Sequence, residues 1–171
     1  MELSNHLTYE PIEERDIPTL TPIMKRAFDE DSQMYMGKDG GPDGYDDGCF
    51  LRNYALHPDA TARKILLDGQ PVGAYILWIN QSSRCHMLGN IFVDPDVGSR
   101  GIGAATWAHI EREYPDARLW RTETPLFTRR NLHFYVNKCG FHVVRIEDPR
   151  DLENGSYILE KRMNFEMATG N

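Results

Sequence analysis

Three glycines within six residues, Gly98, Gly101 and Gly103, close the stretch Asn90-Ile-Phe-Val-Asp-Pro-Asp-Val-Gly-Ser-Arg-Gly-Ile-Gly-Ala-Ala105. Apolar strand formers precede them and helix formers follow, so a strand turns directly into a helix N-terminus. That junction suits an anion: free backbone N–H groups converge on one spot, the helix dipole favours negative charge, and glycines let a phosphate approach the backbone. Arg100 adds a full positive charge in the same turn. A tight strand–helix connection that uses glycine only for close packing has the same appearance. Two nucleotide readings lose on residue type. A Walker loop needs a Lys after its glycines, and none follows here; the dinucleotide fingerprint fails where Thr106 stands at its third glycine position.

A second segment, Thr128-Arg-Arg-Asn-Leu-His-Phe-Tyr-Val-Asn-Lys-Cys-Gly-Phe141, is expected to form a short helix capped by Thr128 and stopped by Gly140. Together the two segments resemble the GNAT superfamily of acyl-CoA-dependent N-acyltransferases. The first is similar to its pyrophosphate turn, [QR]xxGx[GA], laid on Gly98 to Gly103; Gly98 replaces the usual Gln or Arg, and Ser99 a common Gly. The second is similar to its Asn, Tyr and closing Gly-Phe signature, carried here by Asn131, Tyr135, Gly140 and Phe141. The resemblance spans roughly Leu7 to Met163.

That resemblance implies acetyl-CoA as co-substrate, with no metal, and a pantetheine arm lying where two central strands splay apart. The backbone of Phe92 and Val93 would pair with the arm, and the N–H groups of Gly98, Ser99, Arg100, Gly101, Ile102, Gly103 and Ala104 would hold the pyrophosphate. Asn131 would touch the arm, and Tyr135 would protonate the departing thiolate. Tyr135 also falls on an apolar helix face with Leu132, Val136 and Cys139, so one side of its ring is expected in the core. Transfer would be direct: a neutral amine attacks the thioester, and the tetrahedral oxyanion is held by the backbone N–H near Val93.

An ammonium cannot attack, so a base must take its proton. Many relatives place a carboxylate on the strand before the turn, where this chain has Gly89 and Asn90. His86 has a suitable intrinsic pKa, Glu123 supplies a carboxylate near the next strand, and Asn90 can position a water; an incidental histidine and an ordinary surface glutamate account for the first two equally. Asp43, Tyr45 and Asp46 lie in a Gly-rich acidic stretch that would attract a cationic amine, or would simply be a solvated loop. His6, His57, His109, His133 and His142 have no metal-ligand spacing.

The elements that must position these groups follow from periodicity. Leu7–Ile12 reads as a strand. Leu20, Ile23, Met24, Ala27 and Phe28 share one helix face, begun at Asp16 or, with Pro22 as first helical residue, at Thr21. A long loop is expected over Asp29–Gly48, then a short helix at Cys49–Leu56. Thr61–Leu67 and Pro71–Ile79 form a hairpin about Asp68-Gly69. Arg84–Val93, a helix at Gly101–Tyr114, a strand at Ala117–Thr122, a helix at Arg129–Cys139 and strands at Phe141–Ile146 and Tyr157–Arg162 complete the order. The fold class is α/β (α+β): one domain over residues 1–167, with a mostly antiparallel mixed sheet, about four flanking helices and splayed central strands, then a short tail at 168–171.

Composition agrees with one globular domain: 171 residues, 40% hydrophobic and 26% charged. The 19 basic and 26 acidic residues leave a charge of −7, which argues against a nucleic-acid partner. Cys49, Cys85 and Cys139 have no CxxC spacing, the start shows no secretory signal, and Pro71–Ile79 is too short to span a bilayer. A cytoplasmic N-acetyltransferase with a small-molecule or peptide amine as acceptor and no membrane partner is expected, and a homodimer is compatible with the resemblance. The alternative is a CoA-binding sensor or interaction module without catalysis.

Overall fold

The computed structural model describes residues 6–98 and 100–163. Ser99 and the expected tail at 168–171 lie outside the described residues. The strands are β1 (Leu7–Pro11), β2 (Ala60–Leu67), β3 (Gln70–Trp78), β4 (Cys85–Val93), β5 (Leu119–Pro125), β6 (His142–Glu147) and β7 (Ser156–Arg162). They form one seven-stranded sheet in the order β1-β2-β3-β4-β5-β7-β6. Every neighbouring pair is antiparallel except β4 and β5.

Helices α1 (Ile17–Met36) and α2 (Ile102–Glu113) cover opposite faces, and α3 (Arg129–His133) runs on into a wider π turn at Phe134–Lys138. On one face Ile17, Leu20, Ile23 and Met24 of α1 pack with Ala74, Ile76 and Phe92. On the other, Ile102, Trp107 and Ile110 of α2 pack with Tyr75, Leu88, Trp120, Tyr135 and Phe141. Each layer thus buries one stripe of helix against one set of alternating strand residues. Among the described residues no helix is long and apolar enough to cross a membrane.

Several local expectations are corrected. The loop expected from Asp29 begins only after Met36, because α1 continues two turns further and ends at Gly37, which takes the left-handed conformation (φ 69°). The added turns are held by the Lys25–Asp29 pair and by Arg130, which binds both Glu30 and Asp31. Thr21 is not the cap: its hydroxyl donates to the Ile17 carbonyl inside the helix at 2.8 Å, and Pro22 sits on an exposed face. Nor does the Thr128 side chain cap α3. The Arg130 N–H instead donates to the Tyr35 hydroxyl of α1 at 3.0 Å. The expected Arg129–Cys139 helix also widens at Phe134, so that the Cys139 N–H reaches the Phe134 carbonyl five residues back, at 3.0 Å.

Candidate functional site

The site begins where the sheet comes apart. β4 and β5 pair only through Cys85–Leu119, His86–Trp120 and Met87–Arg121. Beyond that point β4 remains paired to β3 alone. A bulge at Gly89 sets the divergence: Leu77 faces Leu88 and Ile76 faces Asn90, so Gly89 has no partner in the register. The extra residue bends β4 and shifts the faces. Leu88 packs with the α2 core, whereas Phe92 packs with α1. A side chain is excluded at Gly89, because a Cβ there would lie 2.7 Å from the Trp78 indole nitrogen.

At the apex of the fork the Thr122 hydroxyl donates to the Leu88 carbonyl at 2.9 Å. Thr122 also influences the Tyr135 hydroxyl, which therefore lies near the apex. Its ring is 7% exposed and packs against Phe134 and Phe141. Burial, with smaller contributions from Cys139 and Asp31, pushes the phenol well above its ordinary pKa, so the group is a proton donor at neutral pH.

Thr124 Oγ1 on β5, Thr128 Oγ1 at the start of α3 and Asn90 Oδ1 on β4 are buried without hydrogen-bond partners among the described residues. Orphaned buried polar atoms are costly unless a polar ligand satisfies them. An arm carrying amide groups, such as pantetheine, fits that requirement.

The turn after β4 is pinned from α1. Arg26 donates to Asp94 through Nε at 3.1 Å and Nη2 at 2.6 Å, and Asp94 also accepts the Asp96 N–H. These bonds, led by Arg26, hold the Asp94 carboxyl below its usual range. Gly98 and Gly101 then take positive φ (75° and 73°) with open space around them, and Gly101 caps α2 in the left-handed conformation. Among the described residues no side chain caps α2, which leaves its first N–H groups, from Ile102 to Ala104, for a ligand. Arg100 is exposed beside them. Gly103 has a different reason to be glycine: a Cβ there would meet the Phe134 ring at 3.0 Å, so helix packing requires it.

The remaining sequence candidates are dispersed. His86 lies at the closed end of the fork, 3% exposed, with its Nδ1 accepting the Asn80 N–H at 3.1 Å and its ring against Trp120. Burial lowers its pKa. Glu123 lies within β5, exposed, and accepts the Ser156 hydroxyl. Tyr45 donates to Asp29 at 2.6 Å, while Asp43 and Asp46 are exposed in the same loop. Asn131, half-buried at the third residue of α3, lies near Asp31.

Asp31 itself was not singled out from the sequence. A signal for it existed: Leu20, Met24, Ala27 and Asp31 recur at i, i+4, i+7 and i+11, so an acid continues the apolar stripe.

The acetyltransferase (GNAT) family model matches residues 20–141. The uncharacterized protein YrkN of Bacillus subtilis (strain 168) is 47% identical over 87 residues, 51% of this chain and 47% of that protein. The match thus takes in about half the length of that curated relative. Among solved structures, the PaiA N-acetyltransferase of Thermoplasma acidophilum in complex with coenzyme A superposes with a TM-score of 0.72 at 16% identity, over 92% of this chain and 99% of that one. The ribosomal-protein-S18-alanine N-acetyltransferase of Escherichia coli gives 0.69 at 18% identity, over 94% and 97%. A Salmonella typhimurium acetyl transferase that modifies the N-terminal serine of a 50S ribosomal subunit protein gives 0.73 at 11% identity, over 95% and 98%. These likenesses are of fold. With the family match covering well over half its length, the chain belongs to the GNAT acetyltransferase family.

Proposed function

We propose that the protein transfers an acetyl group from acetyl-CoA to a primary amine of a small molecule or peptide. The observation that carries this reading is the fork: β4 and β5 separate above Met87 and Arg121, with the Tyr135 hydroxyl at the apex beside Thr122. The uncapped α2 N-terminus, Gly101 to Ala104, with the exposed Arg100 side chain, would hold the pyrophosphate, and the backbone of Phe92 and Val93 the arm; the N–H groups of Gly98 and Arg100, expected to join them, are instead committed to the Pro95 and Gly98 carbonyls at 3.1 and 3.0 Å. Thr124, Thr128 and Asn131 would line that path. Acetyl-CoA brings the activated thioester. The chain's own part is to line the amine up with the carbonyl, to hold the oxyanion on the N–H near Val93, and to pass the Tyr135 proton to the leaving sulfur.

The test is release of free thiol from acetyl-CoA across a panel of diamines, aminoglycoside-type amines and peptides with free N-termini. Turnover with at least one amine is expected. CoA binding without turnover on any amine would instead support a sensor. A thermal shift with ATP or NAD but none with CoA would overturn the cofactor assignment.

A further inference from the structure

Direct transfer needs a group that accepts the proton of the incoming ammonium, and the fork is poor in such groups. Thr122, Thr124, Thr128 and Asn90 are not bases at neutral pH. The Tyr135 hydroxyl is a donor. His86 is at the closed end, about 10 Å or more down β4 from Asn90 at a strand's rise per residue. Glu123 is exposed and engaged with Ser156.

We propose that Asp31, given the acetyl-transfer reading above, is the carboxylate that pairs with the acceptor ammonium and takes its proton. Asp31 continues the apolar stripe of α1, so the helix carries an acid on its inward side, and the side chain is only 17% exposed. From there it reaches α3, whose core lies on the other side of the sheet: Arg130 Nε donates to it at 3.1 Å, and Arg130 Nη2 binds it as well. α1 and α3 meet there, the Arg130 N–H also donating to the Tyr35 hydroxyl at 3.0 Å. The charge of Asp31 is also one of the smaller causes that raise the Tyr135 phenol.

The charged and titratable groups facing Asp31 are Glu30 on its own helix, Arg130 on α3 and Tyr135 on the turn that follows. Burial outweighs the pull of Arg130 and raises the carboxyl above its ordinary value, which makes it a better proton acceptor. Arg130 also binds Glu30, at 2.8 Å, and so is anchored independently of Asp31.

The proton balance closes. The ammonium gives one proton to Asp31 and becomes a neutral amine. The N–C bond forms and the C–S bond breaks, and Tyr135 protonates the leaving sulfur. The proton shed by nitrogen as it becomes an amide refills Tyr135, while Asp31 returns its own proton to water. The products are an amide, a thiol and one proton.

The experiment compares wild type, Asp31→Asn and Glu30→Gln, with kcat/KM measured against pH on the best amine of the panel and CoA affinity by calorimetry. The expected result for Asp31→Asn is a loss on the order of 10²-fold or more in kcat/KM. It should also lose the wild type's acid-side decline, with CoA affinity and the melting temperature preserved. Glu30→Gln, which removes the other carboxylate on Arg130, should stay within about twofold, since only an exposed ion pair is lost. An Asp31→Asn enzyme that keeps the wild-type rate and acid limb overturns the assignment and leaves acetyl transfer standing. An equal loss in Glu30→Gln also overturns it, because anchoring of Arg130 would then be the role. A wild type that binds CoA but acetylates nothing in the panel overturns the acetyl-transfer reading, and Asp31 as its base with it.

Discussion

Tyr135→Phe removes one oxygen from the apex of the fork, and the structure allows the two consequences to be weighed separately. The ring stays in its packing against Phe134 and Phe141, at centroid distances of 5.2 and 5.8 Å. Thr122 keeps its bond to the Leu88 carbonyl at 2.9 Å, so no donor is left orphaned. The stability cost is therefore at most that of one neutral hydrogen bond, about 1 kcal/mol. In a chain of this length that lowers the melting temperature by about 2–4 °C. Loss of a general acid costs on the order of 10²-fold or more in turnover, equivalent to about 2.7 kcal/mol in the barrier. Thiol release from acetyl-CoA gives kcat, calorimetry gives CoA affinity, and a thermal melt gives the structural cost. The expected outcome is a collapse of kcat with CoA affinity within about threefold, the cofactor arm retaining its other contacts. An unchanged kcat would remove the Tyr135 hydroxyl from catalysis. A fall in kcat matched by equal losses in CoA affinity and melting temperature would make Tyr135 a packing residue instead.

The other expectations follow from the same geometry. Gly101→Ala forces a side chain into the left-handed conformation at the α2 cap, a backbone cost of about 1 kcal/mol, and calorimetry should show CoA binding weakened more than the melt suggests. Gly103→Val drives into the Phe134 ring, so its first effect should be a lower melting temperature; full stability with abolished CoA binding would contradict the packing role. Arg26→Ala strands the buried Asp94 carboxylate, and differential scanning calorimetry should show destabilisation at pH 7. Because the folded Asp94 pKa is depressed, that stability is present above about 3.8, its unfolded value, and is lost as pH falls through the folded one, so the variant should lose less on acidification below pH 4. Burial lowers the pKa of both His86 and His109, so the folded state binds fewer protons than the unfolded one. Stability should therefore be complete above about pH 6.5 and decline as pH drops below it; a melting temperature that is flat from pH 7.5 to 5 would refute this.

Much of the architecture is local chemistry and so is legible in the chain. Asp68-Gly69 places both residues at positive φ, as its hairpin requires, and joins β2 to β3. The stripe from Leu20 to Phe28 does face the core. The glycines of the anion turn show as a cluster because their conformations demand them, although Gly103 answers to Phe134. What the residues did not disclose depends on partners far along the chain. Nothing local to Asp29–Met36 announces helix, since its acids need Lys25 and the distant Arg130 to hold them. Tyr35 caps α3 across 95 residues, a contact no spacing rule anticipates. The orphaned hydroxyls of Thr124 and Thr128 are ordinary threonines until the strands part around them.

The surplus of seven negative charges acquires a more specific meaning from this arrangement. Coenzyme A is itself anionic, so under the acetyl-transfer reading its end of the site would have to oppose the overall balance, and the groups on hand are uncapped backbone N–H groups and the exposed Arg100 rather than a basic patch. At the acceptor end an acidic loop alone is not enough. Tyr45 is committed to Asp29, and Asp29 to Lys25, so that part of the surplus is neutralised internally. Asp43 and Asp46 remain exposed, where solvent screens them and they can attract an amine without deprotonating it. Asp31 differs in kind, because it is held out of water on an inward helix face and its charge acts on the Tyr135 hydroxyl. A fold that recruits its base from α1 has no need of a carboxylate on β4, and Gly89 and Asn90 are then free to form the bulge that opens the sheet.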